Sequence, residues 1–239
     1  MTTGITLIRN GESLNYPYIQ CINQMFSICD RVIVNIGLSD DDTIEQLIDF
    51  KYQLPKEYDL ELHITEWNMS NTGDGSELAK QANYCLKEIP DNEWVVYCQA
   101  DEIIHEKDSI YLKNLMNNLS PEYSQIELYR TYFWKDMFHR NTEDEIWLGR
   151  IFRAGTNIVG GDGMHLVRES GNVYRSNSYL YHYSRMGTEK QVTKRIRELD
   201  LLFHDKKDVE KFEDFKYNKQ INIVKHEGSH PHSMIGYYE

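Results

Sequence analysis

One stretch of the sequence decides the predicted fold, and it reads Glu93-Trp94-Val95-Val96-Tyr97-Cys98-Gln99-Ala100-Asp101-Glu102. Residues 95–98 are apolar and mostly favour strands, so they predict a short buried strand. Asp101 and Glu102 follow at its carboxyl end, which is where ligands bind in open α/β sheets. A carboxylate at that point can hold a hard divalent cation, and such a cation holds phosphate. The stretch therefore points to a nucleotide- or phosphate-dependent enzyme.

The residues before this stretch alternate between strand and helix patterns. Apolar runs predict strands at 5–8, 31–36 and 60–65, and stripes at helical spacing predict helices around 19–26, 44–48 and 78–89. A β-α-β-α-β-α-β order is typical of a parallel sheet with right-handed crossovers. The four predicted strands should therefore lie in one sheet.

The second half of the chain changes character. We expect a helix at 108–119, strands near 124–134, 146–153 and 164–168 in antiparallel pairing, and a further strand at 179–183. Residues 160–163, which read Gly-Gly-Asp-Gly, predict a loop, and Thr188 with Gln191 predicts a capping box at the start of a helix. The whole pattern predicts one α/β domain with an antiparallel addition.

Composition narrows the function classes. The 239 residues carry 38 acidic and 26 basic side chains, for a formal net charge of −12, which argues against nucleic acid as a partner. No apolar run approaches the ~18–20 residues that span a bilayer, and residues 1–4 lack the features of a signal peptide. Four cysteines without Cys-x-x-Cys spacing are typical of reduced thiols. We therefore expect a cytoplasmic protein without a transmembrane segment, and peripheral contact with a membrane surface stays open.

Short motifs follow three of the predicted strands in a fixed order. Residues 9–12 read Arg-Asn-Gly-Glu, residues 35–43 read Asn-Ile-Gly-Leu-Ser-Asp-Asp-Asp-Thr, and residues 99–102 read Gln-Ala-Asp-Glu. In this order they resemble the motifs of glycosyltransferases of the GT-A fold, close to the large inverting family 2. Tyr16-Pro17, Gln81-Ala82-Asn83 and residues 99–106 resemble a bacterial subgroup more closely still. The resemblance covers residues 4 to about 106 well, the stretch to His182 loosely and the C-terminus poorly.

The resemblance implies a fold, a domain layout and a substrate class. The fold is GT-A, with a mainly parallel central sheet flanked by helices and a smaller antiparallel part in the second half. A single domain over 1–239 would comprise a nucleotide-sugar-binding half (1–106), an acceptor half (107–185) and a helical C-terminal extension (186–239). The donor would be a nucleotide-diphospho-sugar of undetermined base and the acceptor a saccharide or other hydroxyl compound, as in polysaccharide biosynthesis. The implied donor-binding residues are Arg9, Asn10, Asn35, Gly37, Gln81, Asn83, Gln99, Ala100 and Asp101.

The resemblance also implies a bound Mn²⁺ or Mg²⁺. Asp101 would be its main protein ligand, and His182, which ends a Tyr-rich strand, would be a second. Gln99 stands where the usual motif has its first Asp, and Asn35 stands where an acid often follows the second strand, so this site has fewer anions than is usual. Taken by itself, His182 is equally well interpreted as a hydrogen-bonded core histidine.

An inverting transfer needs a general base that deprotonates the acceptor hydroxyl. Asp162 is the candidate because it lies in the glycine-rich loop where the resemblance places an acceptor, although a turn aspartate is the commoner role in such a loop. Asp136, Asp144 and Glu145 are rivals. Arg150 and Arg153 alternate along a predicted strand and either face a phosphate or are exposed.

Two other functions stay open on the sequence. A nucleotidyltransferase or nucleotide-sugar hydrolase would use the same cation and diphosphate site. A non-catalytic nucleotide- or sugar-binding module would keep the fold, with Gln99 as a mark of a decayed site.

Overall fold

The computed structural model describes residues 1–70, 73–161, 163–213 and 222–238. Four parallel strands form its first half in the spatial order β3-β2-β1-β4, and their bounds are β1 Thr2–Ile8, β2 Arg31–Gly37, β3 Asp59–Thr65 and β4 Trp94–Tyr97. Strand β1 is central, and Ile5 lies opposite Ile33 on one side and Tyr97 on the other. Both faces of β1, β2 and β4 are buried, which explains their nearly continuous apolar runs. The prediction that these strands share one sheet is confirmed.

Helices cover the two faces of this parallel part. Alternate strand residues point to opposite faces, so Val32, Val34 and Val96 pack against one helical layer and Ile5, Ile33 and Val95 against the other. Helices α1, α2 and α4 contribute to the first cluster and helix α3 to the second. Their bounds are α1 Tyr18–Met25, α2 Thr43–Gln53, α3 Ser76–Leu86 and α4 Ser109–Asn118.

The second half extends the same sheet by antiparallel pairing. Strand β4 pairs with β7, β7 with β6, and β10 with β5, while the long strands β6 and β10 run parallel to each other. A separate hairpin is formed by β8 and β9. The bounds are β5 Glu102–Ile104, β6 Tyr123–Asn141, β7 Trp147–Arg153, β8 Asn157–Gly160, β9 His165–Arg168 and β10 Asn172–Met186. The predicted α/β class, with a smaller antiparallel part in the second half, is confirmed.

The C-terminal residues pack back onto this sheet. Helix α5 (Glu189–Asp200) begins with the predicted capping box between Thr188 and Gln191, and the short helix α6 (Lys206–Val209) follows. The segment predicted to be helical also contains strand β11 (Ile223–Lys225), which pairs with β6. Within the described ranges, no helix is both long and apolar enough to cross a bilayer.

Candidate functional site

A cavity of about 610 Å³, here called the main cavity, opens where β1 and β4 end. Its lining residues come mainly from the segments after β1 and β4, from β6 and β10, and from α5. Of the predicted donor- and metal-binding residues, Arg9, Gln99, Ala100, Asp101 and His182 line it. The sheet therefore brings a metal-binding candidate of the first half next to one of the second half.

Asp101 and His182 meet because β5 pairs with β10. Glu102 lies opposite His182 in that antiparallel register, so Asp101, the residue before β5, is adjacent to the histidine. Asp101 Oδ1 is 3.3 Å from His182 Nε2, and the two residues are only 7% and 5% exposed. Burial acts to raise the pKa of Asp101, but His182 and Arg195 outweigh burial and hold that pKa below its ordinary value. Asp101 is therefore an anion at neutral pH.

The second acid of the motif has a different environment. Glu102 is fully buried and accepts two hydrogen bonds from Arg150, at 2.7 and 2.8 Å, in a bidentate ion pair. It also accepts a 3.0 Å hydrogen bond from the backbone N–H of Gln99. Burial acts to raise the pKa of Glu102, and Arg150 more than offsets it, so the pKa is lowered. Glu102 therefore fixes the turn that carries Asp101 and does not face the main cavity.

The glycine-rich loop is anchored to the same region. Tyr97 donates a 2.6 Å hydrogen bond from its hydroxyl to the carbonyl of Gly163, and Arg150 donates one of 2.6 Å to the carbonyl of Met164. Gly163 has a φ of +75°, and a Cβ there would lie 2.6 Å from Leu78 Cβ. Met164 lines the main cavity. Asp162, the predicted general base, lies outside the described residues.

Arg9 and Asn10 organise the turn after β1. Asn10 adopts a left-handed φ of 54° and its side-chain oxygen accepts a 2.8 Å hydrogen bond from the backbone of Asp40. Arg9 donates to the Leu38 carbonyl at 3.1 Å and pairs with both Asp40 and Glu198. These contacts join the turn to the loop after β2 and to helix α5. Arg9 lines the main cavity, whereas Asn10 is not among its lining residues.

Asn35 and Gln81 bond to each other below the cavity. Asn35 is fully buried and donates to both the carbonyl and the side-chain oxygen of Gln81, at 3.0 and 2.9 Å. The Thr65 hydroxyl donates a 2.5 Å hydrogen bond to the Asn35 side-chain oxygen and accepts one of 3.0 Å from the Trp67 indole N–H. The Trp67 ring also covers Gly37, where a Cβ would lie 2.8 Å from it. The network therefore positions Trp67, which lines the cavity.

Asn83 connects helix α3 to strand β8. Its amide nitrogen donates to the Val159 carbonyl at 2.6 Å, and its oxygen accepts from the Val159 N–H at 2.9 Å. Asn35, Gly37, Gln81 and Asn83 were all predicted to bind the donor, and none of them is among the described residues that line the cavity.

Three cavity arginines, Arg130, Arg185 and Arg195, were not identified from the sequence, and Arg130 and Arg195 are buried. Arg130 on β6 is 6% exposed and Arg195 on α5 is 2% exposed. Arg130 donates to the Asp144 carbonyl at 3.1 and 2.7 Å, and Arg195 donates to the Ser184 carbonyl at 2.9 Å and to that of Met186. Among the described residues, neither guanidinium forms an ion pair with a carboxylate. The sequence did hold one sign that Arg195 is buried. It lies three residues after Val192 and four before Leu199, on the apolar stripe of its helix.

The remaining candidates are placed as follows. Arg150 is fully buried against Glu102, and Arg153 lies over the Trp94 ring with its Cζ 4.1 Å from the centroid, so neither faces the cavity.

Of the three rival general bases, Asp144 lines the cavity. Asp136 pairs with His139, and Glu145 with Arg140.

Comparisons with known proteins give structural neighbours only. No protein-family model and no curated protein matches the sequence. The S. aureus protein TarS, residues 1–349 in complex with UDP, is similar at a TM-score of 0.49 and 13% identity over 87% of this chain and 68% of that chain. The longer TarS structure gives 0.45 and 13%, and this chain covers 41% of it.

A mannosyltransferase from Pyrobaculum calidifontis, PcManGT with GDP-Man and Mn²⁺, gives a TM-score of 0.41 at 18% identity over 53% of this chain and 34% of that chain. At these scores the likeness carries no argument about what this chain binds.

Proposed function

We propose that this chain is a metal-assisted glycosyltransferase of the GT-A fold, which moves a sugar from a nucleotide-diphosphate donor to an acceptor hydroxyl with inversion. The observation that carries the proposal is the pairing of Asp101 with His182 in a cavity that also holds the buried guanidinium groups of Arg130 and Arg195. An acid suited to a cation and two cations suited to phosphate then face the same space. A nucleoside diphosphate with a divalent metal has the matching charges.

The two candidate ligand residues fit a divalent cation. Asp101 Oδ1 and His182 Nε2 lie 3.3 Å apart, close to the spacing of two adjacent ligands whose metal bonds are about 2.0–2.2 Å. A carboxylate with an imidazole suits Mn²⁺ better than Mg²⁺. Two protein ligands leave most positions for diphosphate oxygens and water. When bound, the cation would offset negative charge on the leaving diphosphate.

Arg130 and Arg195 would bind the phosphates. A buried charge without a counter-charge is costly, and backbone carbonyls offset only part of that cost. A guanidinium is suited to phosphate because its planar donors match two oxygens at once. Arg195 is among the groups that lower the pKa of Asp101, so its guanidinium lies near the carboxylate beside which the diphosphate would bind. Bound diphosphate would neutralise both arginines.

The general base remains the proposed Asp162. Its following neighbours, Gly163 and Met164, are bonded to Tyr97 and Arg150, and Met164 lines the main cavity. This supports placing an acceptor hydroxyl on that side, with the donor held by the residues after β1 and β4. The Trp67 ring offers a flat surface for a base or a sugar.

The test is nucleoside diphosphate release from a panel of nucleotide sugars, with Mn²⁺ and with EDTA. We expect metal-dependent turnover with at least one donor, and a loss of roughly a hundredfold or more in Asp101→Asn. Asp136→Asn is the matched control, since Asp136 is outside the cavity and pairs with His139. Unchanged turnover in Asp101→Asn, with both variants folded by circular dichroism, would refute the proposal.

A further inference from the structure

A second pocket lies on the other face of the sheet. Its volume is about 320 Å³, and its lining residues are Tyr129, Trp147, Ser176, Asn177, Ser178 and Tyr179. On β6 the next residue, Arg130, lines the main cavity, and successive side chains of a strand point to opposite faces. This aromatic pocket is therefore separate from the main cavity.

An irregularity in β10 builds the pocket. Arg175 pairs with Glu127 and Tyr179 pairs with Tyr129, so three residues of β10 lie opposite the single residue between those two on β6. Ser176 donates a 3.0 Å hydrogen bond to the Glu127 carbonyl and accepts one of 3.2 Å from the Ser178 N–H. Bulges of this kind commonly redirect side chains at functional sites.

The pocket contains polar groups without protein partners. Ser178 is 1% exposed, and its hydroxyl oxygen is buried without a hydrogen-bond partner. That oxygen has less than 1 Å² of accessible surface, so it lies behind the pocket wall and offers no hydrogen bond to a ligand. The open polar groups are the exposed side-chain amide of Asn177 and the indole N–H of Trp147, and among the described residues neither has a hydrogen-bond partner. A ligand would therefore find both donors and acceptors here.

The aromatic side chains add a surface for the body of a ligand. Tyr129 contacts Trp147 and Tyr179 edge to face, with centroids 5.3 and 6.1 Å apart, and Tyr179 is 44% exposed. Aromatic faces are electron-rich and attract polarised C–H groups. A sugar ring presents C–H groups on its faces and hydroxyls at its edge, so it complements both features.

Charge selects a neutral ligand. The residues that line the pocket carry aromatic, hydroxyl and amide groups and no formal charge. Arg175, whose guanidinium lies 5.5 Å from the Trp147 centroid, is already bonded to Glu127 at 2.9 Å. The volume is at the lower end of the range for small-ligand pockets, about 300–1,000 Å³. We propose that the aromatic pocket binds a neutral saccharide unit, independently of the main cavity.

The experiment titrates the protein with saccharide probes, without nucleotide and in the presence of EDTA, and monitors binding by saturation-transfer difference NMR. The probes are glucose, galactose, mannose and N-acetylglucosamine, with cellotetraose, maltotetraose and chitotetraose. We expect saturable binding of at least one probe, and roughly tenfold weaker binding in Trp147→Ala, as for a central aromatic contact. Asn177→Ala should weaken binding while leaving the unfolding midpoint unchanged, because its exposed side chain has no partner among the described residues. A merely structural residue would not separate the two effects.

Trp67→Ala locates the bound probe, since Trp67 belongs to the main cavity. Binding that is lost in Trp67→Ala and survives Trp147→Ala would place the saccharide in the main cavity and overturn the proposal. No saturable binding of any probe, or an affinity unaffected by both Asn177→Ala and Trp147→Ala, would also overturn it.

Discussion

Glu102→Gln should destabilise the fold severely. The substitution keeps the shape of the side chain but removes its charge, so the guanidinium of fully buried Arg150 loses its counter-ion. Breaking a buried ion pair on one side costs about 3–5 kcal/mol. The two hydrogen bonds at 2.7 and 2.8 Å give a similar figure, since charged hydrogen bonds contribute about 1.5–3 kcal/mol each. Because glutamine retains one acceptor, we expect about 3 kcal/mol.

Urea unfolding followed by circular dichroism near neutral pH measures this loss. Asp208→Asn is the control, because the Lys211–Asp208 pair is largely exposed and such pairs contribute at most about 1 kcal/mol. A Glu102→Gln variant within about 1 kcal/mol of the wild type would show that the pair does not hold the Asp101 turn.

Three further predictions concern stability and binding. Asn83→Ala should lower the free energy of unfolding by about 1–3 kcal/mol, because it leaves Val159 without its two hydrogen bonds. Its nucleotide affinity, measured by calorimetry, should be unchanged, and a lost affinity at unchanged stability would contradict this. The pKa of Glu102 is lowered from 4.5 by Arg150, so the stability that its carboxylate contributes is present above that value and is lost as pH falls below it, which acid titration by circular dichroism would detect. Burial and the neighbouring His230 lower the pKa of His226 from 6.5 to about 4. As the pH falls between these values the unfolded chain binds a proton that the folded chain does not, so the folded state loses stability. His226→Phe should make the thermal unfolding midpoint less dependent on pH over this range, and an unchanged dependence would refute the assignment.

The first half of the fold was predictable because its signals are local. Strands such as β2 are buried on both faces, so their apolar runs stand out from the sequence, and the helices between them carry clear stripes. The parallel pairing of β6 with β10 was not predictable in this way. It joins residues about fifty positions apart and includes register shifts that no turn motif announces.

The candidate site was also predictable only in part. Asp101 and Glu102 are adjacent and chemically similar, and the sequence could not distinguish a cavity carboxylate from a buried ion-pair partner. Arg150, which lies 48 residues further along the chain, makes that distinction. The amides of Asn35 and Gln81 were predicted to bind a donor, yet tertiary contacts direct them to each other. Only the fold reveals which polar groups are already satisfied.

The Glu102–Arg150 pair also has a consequence for biosynthesis. During translation, the strands β1 to β4 leave the ribosome well before β7, which supplies both Arg150 and the neighbouring strand of β4. A nascent chain that stops before residue 150 therefore carries a carboxylate that must stay hydrated or protonated, and its β4 edge is open. The first half should thus fold late and jointly with the second. Truncation between the two halves should yield aggregation-prone fragments instead of a nucleotide-binding unit.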